Sequence, residues 1–160
     1  MWLTVRSIMQ IDVQTIGPRE SLVQLQDALL KAKVGGLPVV EDGRLVGIAS
    51  RSDIVKSLKS ERDAAMKSIG LPPEFHLTLD DAIDLGEAVG ERLERIRVAD
   101  VMNRDVATIS SEASLQAAAE LMAANHFHRL PVVDSDHLVG LISSHDIVQL
   151  VAEGRLQPST

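Results

Sequence analysis

Leu130-Pro131-Val132-Val133-Asp134 is followed, after three residues, by Leu138-Val139-Gly140-Leu141-Ile142-Ser143-Ser144-His145-Asp146-Ile147. The same pattern stands 93 positions earlier, as Leu37-Pro38-Val39-Val40-Glu41 and then Leu45-Val46-Gly47-Ile48-Ala49-Ser50-Arg51-Ser52-Asp53-Ile54. Residues 5–57 and 98–150 align at this one offset without a gap, with 19 identities in 53 positions. The matched pairs include Met9/Met102, Asp12/Asp105, Val13/Val106, Ile16/Ile109, Ser21/Ser114, Gly47/Gly140 and Asp53/Asp146. Unrelated segments would not hold one offset over that length. The chain is a tandem repeat, and this sets its architecture.

Each repeat reads as β-α-β-β-α. Val13–Ile16 and Val106–Ile109 are short β-branched runs and predict a first strand. Ser21 and Ser114 stand where a helix N-cap belongs, ahead of periodic apolar residues such as Leu115, Ala118, Ala119, Leu121 and Met122. Pro38 and Pro131 are expected to open the second strand, where a missing N–H is tolerated. Residues 41–44 and 134–137 are turn-like and predict a hairpin into a third strand, Leu45–Ala49 or Leu138–Ile142. Ser50 and Ser143 end that strand, and Asp53 and Asp146 enter the second helix. The fold class is therefore α+β. A unit of about 55 residues buries too little to be comfortable alone. Two copies paired sheet to sheet with pseudo-twofold symmetry would cover each other.

The expected divisions are repeat one at 1–57, an inter-repeat segment at 58–97, repeat two at 98–152 and a frayed tail at 153–160. Within the inter-repeat segment, Val55–Ile69 extends the second helix of repeat one, and Gly70 with Pro72-Pro73 ends it. Thr78 and Asp81 resemble a capping box before a helix over Leu79–Ile96. Its Ile83, Leu85, Ala88, Val89, Leu93 and Ile96 form one mostly apolar stripe. That helix reads as a connector packed on its own subunit, or as a dimer contact or lid.

Composition removes several function classes. A net charge of −7 disfavours a duplex-binding footprint, and two Phe, one Trp and no Tyr offer no stacking surface for single strands. Without Cys there is no disulfide, cysteine zinc site or thiol nucleophile. No apolar run reaches the roughly 18–20 residues that span a bilayer, and no signal-peptide pattern opens the chain. A cytoplasmic location is the expectation. No P-loop, dinucleotide fingerprint or triad order supports an enzyme. Asp80-Asp81 complement a helix dipole.

The doublet resembles the paired CBS domain, the regulatory module named after cystathionine β-synthase. The residues that carry the likeness are Met9–Ile16 and Met102–Ile109, the two Leu-Pro-Val-Val segments, and Gly-x-x-Ser-x-x-Asp at Gly47–Asp53 and Gly140–Asp146. The resemblance implies two units paired through their sheets, with two clefts that take adenosine-containing ligands: AMP, ADP, ATP or S-adenosylmethionine. It also implies a homodimer, a partner protein to be regulated, and a stand-alone member, since no catalytic domain accompanies the repeats. No cofactor, metal, nucleic acid or membrane is expected.

Carried over by motif, one site joins Ser50, Arg51, Ser52 and Asp53 to Asp105, Val106, Ala107, His128 and Arg129. The other joins Ser143, His145 and Asp146 to Asp12, Val13, Gln14, Gly35 and Gly36. A carboxylate can accept from two adjacent ribose hydroxyls, and a Ser hydroxyl beside a helix start suits phosphate. The forked donors of Arg129 suit it as well. Asp53 and Asp146 can also serve as plain helix caps, and the two roles are compatible. Because Gly35-Gly36 stands where the other repeat has His128-Arg129, the Ser50/Asp53/Arg129 site is expected to hold phosphate better. Zinc would need three or four converging ligands. His126 and His137 read as exposed, and His128 as a phosphate contact. A ligand-independent assembly scaffold is the alternative reading.

Overall fold

The computed structural model describes residues 3–70 and 78–155. Pro72-Pro73 and residues 156–160 of the expected tail lie outside them. Among the described residues there are four strands and six α-helices. Repeat one supplies α1 (Leu22–Ala32), β1 (Gly36–Glu41), β2 (Arg44–Ser50) and α2 (Arg51–Ser68). The inter-repeat segment supplies α3 (Leu79–Arg95), and α4 (Val98–Val101) is a single turn. Repeat two supplies α5 (Leu115–Asn125), β3 (Arg129–Asp134), β4 (His137–Ser143) and α6 (Ser144–Ala152). No helix among the described residues is long and apolar enough to cross a membrane.

The chain forms two compact units, and neither is a continuous stretch. One comprises Gln14–Glu41 and Val46–Arg104; the other comprises Met1–Val13, Asp42–Leu45 and Asp105–Thr160. We call them the first-repeat and second-repeat units.

In the first-repeat unit, Ser21 caps α1 by accepting from the Gln24 N–H at 3.2 Å, while Gln24 Oε1 accepts from the Ser21 N–H at 2.8 Å. This reciprocal pair starts the helix where the sequence places it. Leu22, Leu25 and Leu29 fall on one face and are fully buried, each worth roughly 1.5–3 kcal/mol relative to exposure. Thr78 and Asp81 form the expected box at the start of α3. The Thr78 hydroxyl and N–H hold the Asp81 carboxyl below its ordinary range. Helix α3 lays Leu85, Val89 and Leu93 into the same core as α1 and α2, so it packs on its own unit. Ile83 of the predicted stripe stays exposed.

The second-repeat unit repeats this plan. Ser114 caps α5, which buries Leu115, Ala118 and Met122. Strands β3 and β4 run antiparallel, with Arg129 opposite Ser143 and Pro131 opposite Leu141.

The predicted first strands shrink to one bridge each, Ile16 to Val39 and Ile109 to Val132, both parallel. Proline is the reason. Ile109 donates to the Pro131 carbonyl at 3.1 Å, and Val133 donates to the Ile109 carbonyl at 2.9 Å. The next rung toward the N-terminus would need a Pro131 N–H, which does not exist. Pro38 stops the ladder at Ile16 in the same way. The prolines also sit third in their strands, not first as predicted. They mark where the parallel ladder ends, not where the strand begins.

Each unit is closed by a short segment that sequence order assigns to the other repeat. Val98 is buried in the first-repeat unit, and Asn103 exchanges two backbone bonds with Ile48, both 2.9 Å. Its aligned counterpart Val5 is buried in the second-repeat unit, where Gln10 exchanges two with Leu141, at 2.8 and 2.9 Å. Residues 5–10, which in sequence open repeat one, thus pack in the second-repeat unit.

That second closure carries a polar lock. Ser111 is buried; its hydroxyl accepts from Arg6 at 2.7 Å and donates to Asp134 at 2.6 Å. The Ser111 hydroxyl, then its N–H, hold the Asp134 carboxyl below the usual range. The first-repeat unit has Pro18 and Ala99 at the positions aligned with Ser111 and Arg6, so the lock is specific to the second-repeat unit.

Candidate functional site

The two Gly-x-x-Ser-x-x-Asp motifs form the same strand-to-helix turn. In the first-repeat unit, Asp53 Oδ2 accepts from the Ser50 N–H at 2.8 Å and from its hydroxyl at 2.7 Å. In the second-repeat unit, Asp146 Oδ2 accepts from the Ser143 N–H and hydroxyl, both at 2.7 Å. Capping is therefore real, and it uses one oxygen of each carboxylate. Both carboxylates are half-buried at the mouth of a helix, where N–H groups and the helix dipole favour negative charge.

The glycine of each motif is a packing requirement. A Cβ on Gly140 would lie 2.7 Å from Met9 Sδ and 2.9 Å from the Gln10 carbonyl oxygen. On Gly47 it would meet Met102 Sδ and the Asn103 carbonyl at the same two distances. The closing segments lie against the strands that end in the two turns. As a result Gln10 Nε2 reaches Asp146 Oδ1, at 3.5 Å. Gln10 is not identical across the repeats, but its counterpart, Asn103, is also an amide, which is the signal in the sequence for this position.

The expected site residues divide between the units. The first-repeat unit holds Ser50, Arg51, Ser52 and Asp53 with Gln14, Gly35 and Gly36. There the Arg51 N–H donates to the Gly35 carbonyl at 3.0 Å. The second-repeat unit holds Ser143, His145 and Asp146 with Asp12, Val13, Asp105, Val106, Ala107, His128 and Arg129. There the Ser144 N–H donates to the His128 carbonyl at 2.9 Å. Within each unit, then, the pair ahead of Leu-Pro-Val-Val adjoins the Ser-x-x-Asp turn of its own repeat. Motif order groups each pair with the other repeat's turn as well, while the antiparallel register sets a residue entering β3 opposite one leaving β4. His128, Arg129 and His145 are exposed, while Val106 and Ala107 are half-buried.

Beside this turn a cleft of about 420 Å³ opens, lined by Met122, Phe127, His128, Ser144, Ile147 and Val148 among others. Ser143 and Asp146 are not in its wall. Among the described residues no three His, Asp or Glu side chains converge as metal ligands would.

The sequence model of the CBS domain matches this chain twice, at residues 5–60 and 98–153. The chain belongs to the CBS-domain family. It is 34% identical over 129 residues to the uncharacterized protein MJ1426 of Methanocaldococcus jannaschii, a match covering 74% of each chain. Its fold is that of solved CBS pairs. It is similar to CBSX2 of Arabidopsis thaliana, solved in complex with AMP, with a TM-score of 0.68 and 24% identity over 96% of this chain and 98% of that one. It is also similar to the CBS domain pair of protein MJ0100, solved with 5′-methylthioadenosine and S-adenosyl-L-methionine. That match has a TM-score of 0.66 and 22% identity over 96% of this chain and 99% of the other. Both matched segments leave out α3.

Proposed function

We propose that this CBS pair is a regulatory, non-catalytic module that binds an adenosine-containing ligand and passes the event to a partner or to its own assembly. The observation that carries the reading is the doubled Ser-x-x-Asp turn. Each carboxylate caps a helix with one oxygen, and a ribose diol can use the other, in Asp146 by taking the place of the 3.5 Å Gln10 contact. The ligands of CBSX2 and MJ0100 support the adenosyl class. His128 and Arg129 are the donors for phosphate, and the register beside Ser143 supports assigning them to the Asp146 turn. The Asp53 turn, flanked by Gly35-Gly36, then suits the less charged end of an adenosyl ligand. Asp12, Val13, Gln14, Asp105, Val106 and Ala107 enter the reading through the family resemblance alone.

Calorimetry and thermal shift with AMP, ATP and S-adenosylmethionine test it. At least one ligand raises the melting temperature by mass action. Asp146→Ala weakens AMP by about tenfold to a hundredfold, the loss of one or two charge-assisted bonds. A double-mutant cycle then separates the two groupings of the basic pair. Arg129→Gln couples to Asp146→Ala if the pair serves its own turn, and to Asp53→Ala if motif order is right. No shift with any of the three ligands overturns the reading and leaves a ligand-independent scaffold.

A further inference from the structure

The turn that ends β4 has little hydrogen-bonding capacity to spare. The Ser143 hydroxyl donates to Asp146 Oδ2 at 2.7 Å and accepts from the Asp146 N–H at 3.3 Å. Asp146 Oδ2 also takes the Ser143 N–H. What is left is Asp146 Oδ1, and across from it stands Gln10 Nε2 at 3.5 Å. That is long beside the about 2.7–3.2 Å of an ordinary N–H···O bond. The contact is loose, and each group can do better with a third partner.

Gln10 lies in residues 5–10, which close this unit, and the main chain alone fixes its position there. Its N–H and carbonyl exchange bonds of 2.8 and 2.9 Å with Leu141. Gly140 admits the segment this close, since a Cβ would stand 2.9 Å from the Gln10 carbonyl oxygen. The Gln10 side chain is exposed. Any side chain would keep the backbone pair, so closure does not call for an amide. An amide N–H beside a half-used carboxylate suits a hydroxyl, which donates to one and accepts from the other. An ammonium group cannot do this, because it has no lone pair to offer the amide. A hydroxyl bridging at ordinary bond lengths sets the nitrogen and the carboxylate oxygen about 4.5 Å apart. Gln10 Nε2 then draws back by roughly 1 Å, a small rotation of an exposed side chain.

We propose that Gln10 is a specificity-determining residue of the Asp146 site, donating to the one ribose hydroxyl from which Asp146 Oδ1 accepts. The inference rests on the adenosyl reading of this turn and goes beyond it. It makes the closing segment part of the ligand site, and it assigns selection of the sugar to a pair of groups, not to the carboxylate alone.

Calorimetry with AMP, 2′-deoxy-AMP and 3′-deoxy-AMP tests it on the full chain, in the parent, Asp146→Ala and Gln10→Met. Methionine keeps the length of the side chain and lacks the donors. Gln10→Met is expected to weaken AMP by about threefold to tenfold, the worth of one hydrogen bond. It weakens one deoxy analogue equally. The other, which lacks the shared hydroxyl, binds within about twofold of its affinity for the parent, the scatter of independent changes. Equal weakening of all three nucleotides means that Gln10 acts only through the shape of the closing segment. No weakening of any means that it does not touch the ligand. Either result overturns the proposal, while AMP binding that Asp146→Ala weakens leaves the functional reading standing. AMP binding indifferent to Asp146→Ala overturns the proposal together with the Asp146 assignment. A parent that binds none of the three nucleotides also overturns it, and the functional reading falls with it only if ATP and S-adenosylmethionine are refused as well. Circular dichroism checks the fold of each variant. Should Gln10→Met fold poorly, Gln10→Ala replaces it with the same expectation, since it too keeps the backbone pair with Leu141.

Discussion

Gly140→Ala is a sharp test of how the second-repeat unit is closed. The added methyl would stand 2.7 Å from Met9 Sδ and 2.9 Å from the Gln10 carbonyl oxygen, against ordinary carbon contacts of about 3.5–4.0 Å. Met9 is flexible and can swing away. The carbonyl cannot, because it accepts the Leu141 N–H at 2.9 Å while the Gln10 N–H returns a bond of 2.8 Å. Overpacking costs about 1–3 kcal/mol, and prising the bridge open loses two backbone bonds of about 0.5–1.5 kcal/mol each. Alanine recovers roughly 0.5–1 kcal/mol of backbone entropy in a strand. The net expectation is a loss of about 2–4 kcal/mol. Urea unfolding followed by circular dichroism reads it out. The control is the same substitution at Gly86 in α3, where a Cβ meets nothing within 4 Å; there alanine adds about 0.8–1 kcal/mol. Adding Met9→Ala to Gly140→Ala restores only part of the loss, since the carbonyl contact remains. A Gly140→Ala protein within 0.5 kcal/mol of the parent, about the spread of an innocuous surface change, would refute the closure described above. A gain matching that of Gly86→Ala would do the same.

Three further expectations follow from the differences between the repeats. The first hairpin turns through Asp42-Gly43 and the second through Ser135-Asp136, all four residues with positive φ; Asp136→Gly should therefore stabilise by about 0.5–1 kcal/mol in calorimetry, and a lowered melting temperature would count against it. Asp134 has its folded pKa held down by Ser111, so its contribution is complete above about pH 4, the unfolded carboxylate range, and is lost as pH falls through the folded value. Asp134→Asn should accordingly flatten the acid limb of a urea-midpoint profile between pH 6 and 3, roughly the carboxylate window, and an unchanged slope would contradict the lock. Ser111→Ala leaves Arg6 and Asp134 without their shared hydroxyl and should destabilise by about 1–3 kcal/mol; a neutral result in the same titration would show the buried hydroxyl to be dispensable.

Much of this structure was readable from local chemistry. The N-caps at Ser21, Thr78 and Ser114 fall where side-chain oxygens precede periodic apolar residues. The capping role of Asp53 and Asp146 was one of two readings their spacing allowed, and it holds. Three features were hidden for physical reasons. Val13–Ile16 and Val106–Ile109 have strand composition, but the rung each would extend requires a donor that Pro38 or Pro131 lacks. The closing segments were hidden by the duplication itself. Met9 and Met102 occur in matching contexts, so periodicity cannot say whether each packs on Gly47 or Gly140. The neighbours of His128-Arg129 depend on strand register, which spacing between motifs does not encode.

That arrangement has a consequence for cutting the chain. Residues 3–10 and 98–103 each complete a body whose remaining residues lie far away in sequence. A protein severed between residues 70 and 78 would yield two fragments, each carrying the cap of the body it does not belong to. Neither fragment alone could seal its own core. Mixed together, they have reason to fold only as a pair, which makes this connector a natural seat for a split reporter whose signal requires both halves at once.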